Sequence, residues 1–359
     1  MADKRCLKSF FCRKNLCRTN PLHVSPRLLN RDLSNLIFII TGGHSGLGKT
    51  LSIQLLKQGA TIIIGCRNPS DTRCTALAQE SFPGTVIFEQ LDLSCFANVE
   101  DFVERITKRH LNENKYLHGI ISNAGIMGVP TRILSTDGFE SQFQTNYLSP
   151  FLLIELLTPY LLKTVAAVQD SKSIQNYIPR IINVSSSNAV QAGLTGPYGN
   201  VDLDDINFDR RTYNGFAGYG QSKLCQILHA RALSKTKDGV LSVSLHPGSA
   251  LSNITRNLFP YCVRVLISPI EKCTTGQISN WGAIQAQLHC VLSFGDDLDD
   301  GGFYSVEDSP LGNKGGFPMN ESEIDNRQAV DDDLAGKLYR RSKLWVSRSG
   351  RSSGAGNGK

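Results

Sequence analysis

Short apolar runs alternate with helix-length segments along most of the chain, and this alternation constrains the fold more than any other feature. Each run is almost continuously apolar, as expected for a strand that is buried on both faces of a parallel sheet. The alternation predicts an α/β fold, a three-layer doubly wound parallel sheet with right-handed crossovers. The runs lie at residues 36–40, 61–64, 85–88, 119–121, 181–184 and 240–245, with a weaker one at 302–304, and the main helices are predicted at 46–58, 98–110, 137–162 and 217–234.

One domain accounts for this pattern in a chain of 359 residues. We predict a basic N-terminal extension at 1–33, a single α/β domain at 34–345 and a disordered basic tail at 346–359. Residues 1–31 and 337–359 each carry a charge of +7, so a net charge of +6 leaves −8 for the body between them. Charge runs at chain ends are commonly solvated tails, and the other two interpretations of the basic ends are a targeting segment and a surface for peripheral membrane contact. They do not by themselves indicate a nucleic-acid partner.

The ten cysteines are scattered and form no C-x-x-C pair. Their spacing indicates neither a zinc site nor a disulfide framework, so we expect no metal. Reduced thiols favour an intracellular compartment, cytoplasmic or organellar. No uninterrupted apolar stretch reaches 18 residues, and a membrane-spanning helix is therefore not expected.

A glycine-rich turn follows the first predicted strand and precedes the first long helix. It reads Thr41-Gly42-Gly43-His44-Ser45-Gly46-Leu47-Gly48. Glycines at such a turn let the backbone approach a pyrophosphate at the positive end of the helix. Because the turn stands in the required strand-to-helix context, it predicts dinucleotide binding. The candidate residues are Gly42, His44, Ser45, Gly46, Leu47 and Gly48.

The second strand ends in Gly65-Cys66-Arg67. An acidic residue there would bond the hydroxyls of the adenosine ribose, whereas arginine suits a 2′-phosphate. No acidic residue occurs before Asp71. Arg67 therefore favours NADP(H) over NAD(H).

Tyr219 and Lys223 stand four residues apart and share one face of a predicted helix. A nearby cation stabilises phenolate and makes tyrosine a usable acid or base near neutral pH. The spacing alone is weak evidence, because Tyr339 and Lys343 repeat it near the C-terminus. The surroundings favour Tyr219, since four predicted strand ends meet at one edge: 42–48, 123–125, 185–187 and 246–248.

With these motifs in order, the chain resembles the short-chain dehydrogenase/reductase superfamily, which has the Rossmann fold, over roughly residues 34–345. It is most similar to the retinol dehydrogenases and to the oxidoreductase domain of WW-domain-containing oxidoreductase. The motifs are the T-G-x-x-x-G-x-G turn, Leu91-Asp92-Leu93-Ser94, Ser122-Asn123-Ala124-Gly125, Thr145-Asn146, the Ser185–Ser187 run, Tyr219-x-x-x-Lys223 and His246-Pro247-Gly248.

The resemblance implies roles for individual residues. Tyr219 would be the general acid/base, and Lys223 would lower its pKa. Ser186 would orient the substrate oxygen, with Ser185 as the competing assignment, and Asn146 would hold the helix geometry and a proton-relaying water. Further cofactor contacts would come from Asp92, Leu93, Asn123, Ala124, Gly125, Pro247, Gly248 and Ser252.

The substrate is expected to be lipophilic, because an apolar segment at 253–275 would roof the cleft. The sequence thus predicts an NADP(H)-dependent oxidoreductase acting on a lipophilic alcohol or carbonyl such as a retinoid, steroid or lipid aldehyde. A catalytically idle, cofactor-binding scaffold is the alternative, and a nucleotide-sugar epimerase or dehydratase is a further one. The resemblance also implies a homodimer or tetramer formed through the helix that carries Tyr219.

Overall fold

Seven parallel strands form the centre of the molecule in a computed structural model that describes residues 23–111, 115–170, 177–190, 199–248, 279–305, 319 and 321–352. The strand order is β3-β2-β1-β4-β5-β6-β7, so the chain winds outward in both directions from β1 and β4. This confirms the predicted doubly wound sheet. The strands are β1 Ile37–Thr41, β2 Thr61–Cys66, β3 Thr85–Gln90, β4 Gly119–Ser122, β5 Arg180–Val184, β6 Leu241–His246 and β7 Phe303–Ser305.

Helices cover both faces of the sheet, and alternate residues of each strand point to opposite faces. Ile39 and Ile63 belong to the core on one face, whereas Phe38 and Ile64 belong to the core on the other. The helices are α1 Pro26–Leu29, α2 Gly46–Lys57, α3 Thr72–Gln79, α4 Phe96–His110, α5 Ser149–Asp170, α6 Gly215–Ser234, α7 Asn280–Ala283, α8 Gln285–Leu292 and α9 Asp332–Ser352. Shorter 3₁₀ turns occur at Ser187–Ala189, Gly295–Asp297, Glu321–Glu323 and Arg327–Val330.

Strand β3 differs from the prediction that the strands are buried on both faces. Thr85 and Gln90 are exposed, and Val86 and Ile87 are only partly buried. The reason is its position at the edge of the sheet, where it has a single neighbour.

The helix predicted at 137–162 begins later and is interrupted. One α turn at Ser141–Phe143 leads into a π turn at Gln144–Leu148, and α5 then continues to Asp170. The whole run is long and apolar enough to cross a membrane, by length and composition only. One face of the run belongs to the core, since Phe151, Leu153, Leu157 and Leu161 are fully buried, whereas Leu156 and Leu162 on the other face are exposed.

The structure places the two ends of the domain outside the boundaries predicted at residues 34 and 345. Val24 and Leu33 are buried, and Arg31 donates to the carbonyl of Leu292 at 2.6 Å, so the chain packs on the domain from residue 24 onward. At the other end, α9 continues to Ser352, past the expected boundary at 345. Residues 1–22 and 353–359 lie outside the described residues.

Helix α9 packs against α5 and α6. Tyr339 donates to Glu155 Oε1 at 3.0 Å, and the hydroxyls of Tyr147 and Ser342 lie 2.8 Å apart. His229 of α6 is buried beside the rings of Tyr147 and Tyr339. This face of α6 is therefore covered from within the chain, and assembly through the helix that carries Tyr219 stays a prediction.

Candidate active site

A cleft of about 790 Å³ opens at the carboxyl edge of the sheet. Its walls include all four of the strand ends that the sequence analysis brings to one edge. This is where ligands bind in open α/β sheets, because the connections diverge on either side of the central strands. All predicted site residues that the structure describes line this cleft, with the exception of Asn146. Asn146 is hydrogen-bonded to Ile126, a residue of the cleft wall.

The glycine-rich turn joins β1 to α2 and depends on the absence of side chains. Gly42 and Gly46 have φ angles of +68° and +53°, which favour glycine. A Cβ atom on Gly48 would lie 2.6 Å from both Asn123 Nδ2 and the Gly42 carbonyl oxygen. The turn and the β4 end are thus packed tightly together, as an approach by a pyrophosphate requires.

Hydrogen bonds join the turn to the segment after β4. Thr41 Oγ1 accepts from the backbone N–H groups of Asn123 and Ala124, at 3.0 and 2.9 Å. Ser45 is the N-cap of α2 but makes no side-chain cap bond, so the first-turn N–H groups are free to hold an anion. These residues fit the diphosphate of a nicotinamide dinucleotide.

Basic side chains surround the cleft beyond β2. Arg67 is exposed at the strand end, as the sequence predicts, and Arg73 lines the cleft with it. Asp71, the nearest acid, is paired with Arg73 through two bonds of 2.8 and 2.7 Å. The hydrogen bonds from Arg73 hold the pKa of the Asp71 carboxyl well below its usual range. Arg73 was not among the predicted site residues, although its position in the first turn of the helix after β2 places it close to Arg67.

Tyr219 lies on α6 with its side chain buried in the cleft wall. Burial raises the pKa of its phenol to about 12, while a hydrogen bond with the Ser186 side chain acts in the opposite direction. Lys223 is also buried, and burial lowers the pKa of its ammonium to about 7.

The hydrogen bonds of Lys223 go to groups other than Tyr219, and the expectation that Lys223 lowers the pKa of Tyr219 stays a prediction. The lysine Nζ lies 5.7 Å from the centre of the tyrosine ring. It donates instead to the carbonyl of Val184 at 2.8 Å and to Gln226 Oε1 at 3.0 Å. Burial therefore dominates the titration of both groups, because each loses more hydration than its neighbours replace.

The two competing serines occupy different environments. Ser185 Oγ donates to the backbone carbonyl of Lys223 at 2.7 Å, which ties β5 to α6. Ser186 Oγ accepts from Asn188 N at 3.3 Å, and the Ser186 side chain lines the cleft with Tyr219 and partly offsets the burial that raises the pKa of its phenol. The geometry thus favours Ser186 as the serine that contacts a substrate oxygen.

Asn146 lies in the π turn and is fully buried. Its side chain donates to the carbonyl of Ile126 and to Ser222 Oγ, both at 2.9 Å, and accepts from the Ile126 N–H at 2.8 Å. These bonds hold the segment after β4 against α6. Asn146 consequently positions the cleft wall, consistent with the helix-shaping role expected of it.

Gln226 connects Asn146 to Lys223 and was missed by the sequence analysis. Its Nε2 donates to the Asn146 carbonyl at 2.8 Å, while its Oε1 accepts from Lys223 Nζ. Its position three residues after Lys223, on the same helix face, was the available signal. Gln226 therefore joins the proposed catalytic lysine to the π turn that holds Asn146.

The remaining predicted residues fall into two groups. Asp92, Leu93, Ala124, Gly125, Pro247 and Gly248 line the cleft together with His44, Ser45 and Leu47. Ser252 and the predicted roof at 253–275 lie outside the described residues. The second tyrosine–lysine pair is elsewhere, with Tyr339 and Lys343 both bound to Glu155.

Comparison with known proteins agrees with the observed fold. The short chain dehydrogenase family model matches residues 36–199. The chain is 33% identical over 275 residues to retinol dehydrogenase 12 of Mus musculus, covering 75% of this chain and 77% of that protein. It is 32% identical over 239 residues to the WW domain-containing oxidoreductase of Gallus gallus, covering 65% and 54% respectively.

Solved structures share the fold. An uncharacterised protein from Mycobacterium paratuberculosis is 26% identical, with a TM-score of 0.63 over 88% of this chain and 95% of that chain. An NADPH-bound carbonyl reductase from chicken fatty liver is 20% identical, with a TM-score of 0.55 over 77% and 94%. The second likeness is one of fold alone.

Proposed function

The chain belongs to the short-chain dehydrogenase/reductase family of NAD(P)-binding oxidoreductases, and we propose that it interconverts a lipophilic alcohol and its carbonyl with NADP(H), using Tyr219 as the general acid/base. The observation that carries this proposal is that Ser186, Tyr219 and Lys223 line the wall of one cleft at the carboxyl edge of the sheet, with Lys223 one turn after Tyr219 on α6.

In the proposed reaction a bound nicotinamide supplies or accepts the hydride. Tyr219 Oη transfers a proton to or from the substrate oxygen, and Ser186 Oγ hydrogen-bonds to the same oxygen. Lys223 supplies the positive charge that favours phenolate when the proton leaves. Burial of all three side chains excludes bulk water, which strengthens their mutual electrostatic interactions.

The preference for NADP(H) is supported by charge at the far end of the cleft. Arg67 and Arg73 both line it, and the carboxylate of Asp71 is neutralised by its bonds with Arg73. A 2′-phosphate would meet two arginines there, whereas no acidic residue stands at the end of β2 itself to bond a ribose hydroxyl pair; Asp92, the other acid of this end, follows β3 and accepts from Ser94.

A lipophilic substrate is supported by the described wall near Tyr219. Phe216 precedes Tyr219 by one helical turn, and Ile126 and Met127 line the same cleft. The retinol dehydrogenases to which the chain is similar are named for a lipophilic alcohol, which agrees with this wall. An apolar surface beside a few polar groups is typical of sites that orient such substrates.

The test is turnover by the purified full-length chain. Protein is incubated with NADPH or NADH and a panel of retinoid, steroid and aliphatic carbonyls, and the absorbance of the reduced cofactor is followed. We expect oxidation of NADPH with at least one lipophilic carbonyl. Cofactor binding without turnover on any member, in either direction, would favour the scaffold alternative, and faster turnover with NADH would contradict the role of the arginines.

A further inference from the structure

Three side chains that can bind a metal ion meet near the glycine-rich turn, and none of them is a residue that is proposed to contact the substrate oxygen. They are His44 of the turn, Cys66 at the end of β2 and Cys74 in α3. The sulfur atoms and a histidine ring nitrogen all lie within 4.8 Å of one another. Both cysteines are buried and are free thiols, and His44 is half-buried.

The distance between the two sulfur atoms matches the spacing of two thiolates that bind the same zinc ion. Cys66 Sγ and Cys74 Sγ are 3.8 Å apart. Two thiolates each about 2.3 Å from a tetrahedral zinc ion are themselves about 3.8 Å apart. The pair is therefore already spaced as an edge of a zinc coordination tetrahedron.

His44 contributes the imidazole of the cluster. A histidine binds a metal through a ring nitrogen of the neutral imidazole. The Nδ1 of His44 is shielded from solvent and makes no hydrogen bond with any described residue. A neutral ring that is not held by a polar partner is free to turn a nitrogen toward the two sulfurs.

We propose that His44, Cys66 and Cys74 form a binding site for a thiophilic cation of the zinc class, with a fourth position open toward the cleft. One imidazole and two sulfur ligands are a donor set that zinc prefers over oxygen-seeking cations such as Mg²⁺. The inference does not depend on the proposed reaction, because none of the three residues contacts the substrate oxygen; His44 and Cys66 line the opposite, adenosine end of the cleft.

Binding is coupled to loss of protons. An ordinary cysteine has a pKa of about 8.5, so both cysteines are thiols near neutral pH before the ion arrives. Uptake of one Zn²⁺ releases two protons and leaves a neutral Zn(thiolate)₂ unit. The apparent affinity should consequently rise with pH below the thiol pKa values.

The test uses the full-length chain, reduced and stripped of metal with a chelator. Co²⁺ is added as a spectroscopic probe, and a thiolate-to-cobalt charge-transfer band in the near ultraviolet is expected. Zn²⁺ should remove the band, and mass spectrometry should show that Zn²⁺ protects Cys66 and Cys74 from alkylation.

Variants separate this site from the other cysteines of the chain. Cys74→Ser and His44→Gln should each weaken Zn²⁺ binding at this site, Cys74→Ser by about 100-fold. Cys95→Ser is the matched control, because Cys95 is a free thiol outside the cluster, and it should bind as wild type does. Thermal unfolding of each metal-free variant checks that it is folded.

Two results would overturn the proposal. One is a cobalt band and zinc affinity unchanged in folded Cys74→Ser, with Cys66 and Cys74 alkylated equally with and without Zn²⁺. The other is recovery of a Cys66–Cys74 disulfide from protein purified without reductant that, once reduced, binds no metal, which would identify a redox pair instead.

Discussion

The ammonium of Lys223 donates to Gln226 Oε1 at 3.0 Å, and the same glutamine donates to the backbone carbonyl of Asn146 at 2.8 Å. One buried side chain thereby joins the π turn to the proposed catalytic lysine. Because the charged form of Lys223 is the donor in this bond, Gln226 stabilises the ammonium against the burial that lowers its pKa to about 7.

Replacing Gln226 should therefore shift the pH dependence of turnover. Gln226→Ala removes an acceptor from the ammonium and lowers the lysine pKa further, so activity that requires the ammonium is lost at a lower pH than in wild type. Gln226→Glu places a carboxylate beside Lys223 and raises the lysine pKa, so the same loss of activity occurs at a higher pH than in wild type. The measurement is kcat against pH, and shifts in the same direction for both variants would contradict a positioning role.

Removal of the Tyr219 hydroxyl should abolish proton transfer while sparing cofactor binding. Tyr219→Phe is expected to lower kcat by about 10²–10⁴-fold, the usual contribution of a general acid/base. The matched control is Tyr339→Phe, which deletes the hydroxyl of the second tyrosine–lysine pair and its bond to Glu155. That variant should keep its kcat and lose about 1 kcal/mol of stability. Equal effects of the two substitutions on kcat would disprove the assignment.

The two adjacent serines should give opposite results. Ser186→Ala removes the hydroxyl that lines the cleft with Tyr219 and would bond to the substrate oxygen, and we expect kcat to fall by about 100-fold. Ser185→Ala removes the bond to the Lys223 carbonyl and should cost about 1 kcal/mol of stability with a smaller change in kcat. Steady-state kinetics and urea unfolding distinguish them, and a greater kcat loss in Ser185→Ala would reverse the assignment.

Cofactor preference should depend on Arg67. Arg67→Gln is expected to raise KM for NADPH about 10–100-fold, because charge-assisted hydrogen bonds contribute about 1.5–3 kcal/mol, while KM for NADH changes little. Arg109→Gln is the control, since Arg109 is an exposed arginine paired with Glu89 away from the cleft. Parallel increases for both cofactors would show that Arg67 does not read the 2′-phosphate.

Acid should destabilise the fold through its buried histidines. Burial lowers the pKa of His229 to about 3 and that of His118 to about 4. Both are neutral when folded but become charged in the unfolded chain below about pH 6.5, so stability is complete above that pH and decreases by about 1.4 kcal/mol per pH unit for each histidine as pH falls.

His229→Phe tests this dependence, because the ring packs among the aromatic side chains of Tyr147, Phe151 and Tyr339. Between pH 7.5 and 5, its loss of unfolding free energy should be about 2 kcal/mol smaller than that of wild type. Urea unfolding at the two pH values gives both numbers. Replacement of the exposed His23 by glutamine is expected to keep the wild-type difference, and an unchanged difference in His229→Phe would refute the prediction.

The sequence by itself determined the sheet, the glycine turn and the set of strand ends at one edge. These follow from local rules: apolar runs of strand length become buried strands, and a helix that begins at a glycine turn leaves its first amides free. Burial of β3 was overestimated because position within a sheet is not a local property. The π turn that holds Asn146 carries no local signal that the sequence analysis could use.

Only the tertiary structure decided which side chains meet. It separates Ser185 from Ser186, pairs Asp71 with Arg73, and makes Gln226 the partner of Lys223. It also brings together Cys66 and Cys74 with His44, although the spacing of the cysteines along the chain indicated no metal site. Each of these contacts depends on packing between elements that are distant in sequence or on the direction of a side chain. A local pattern of residues specifies neither the packing nor that direction.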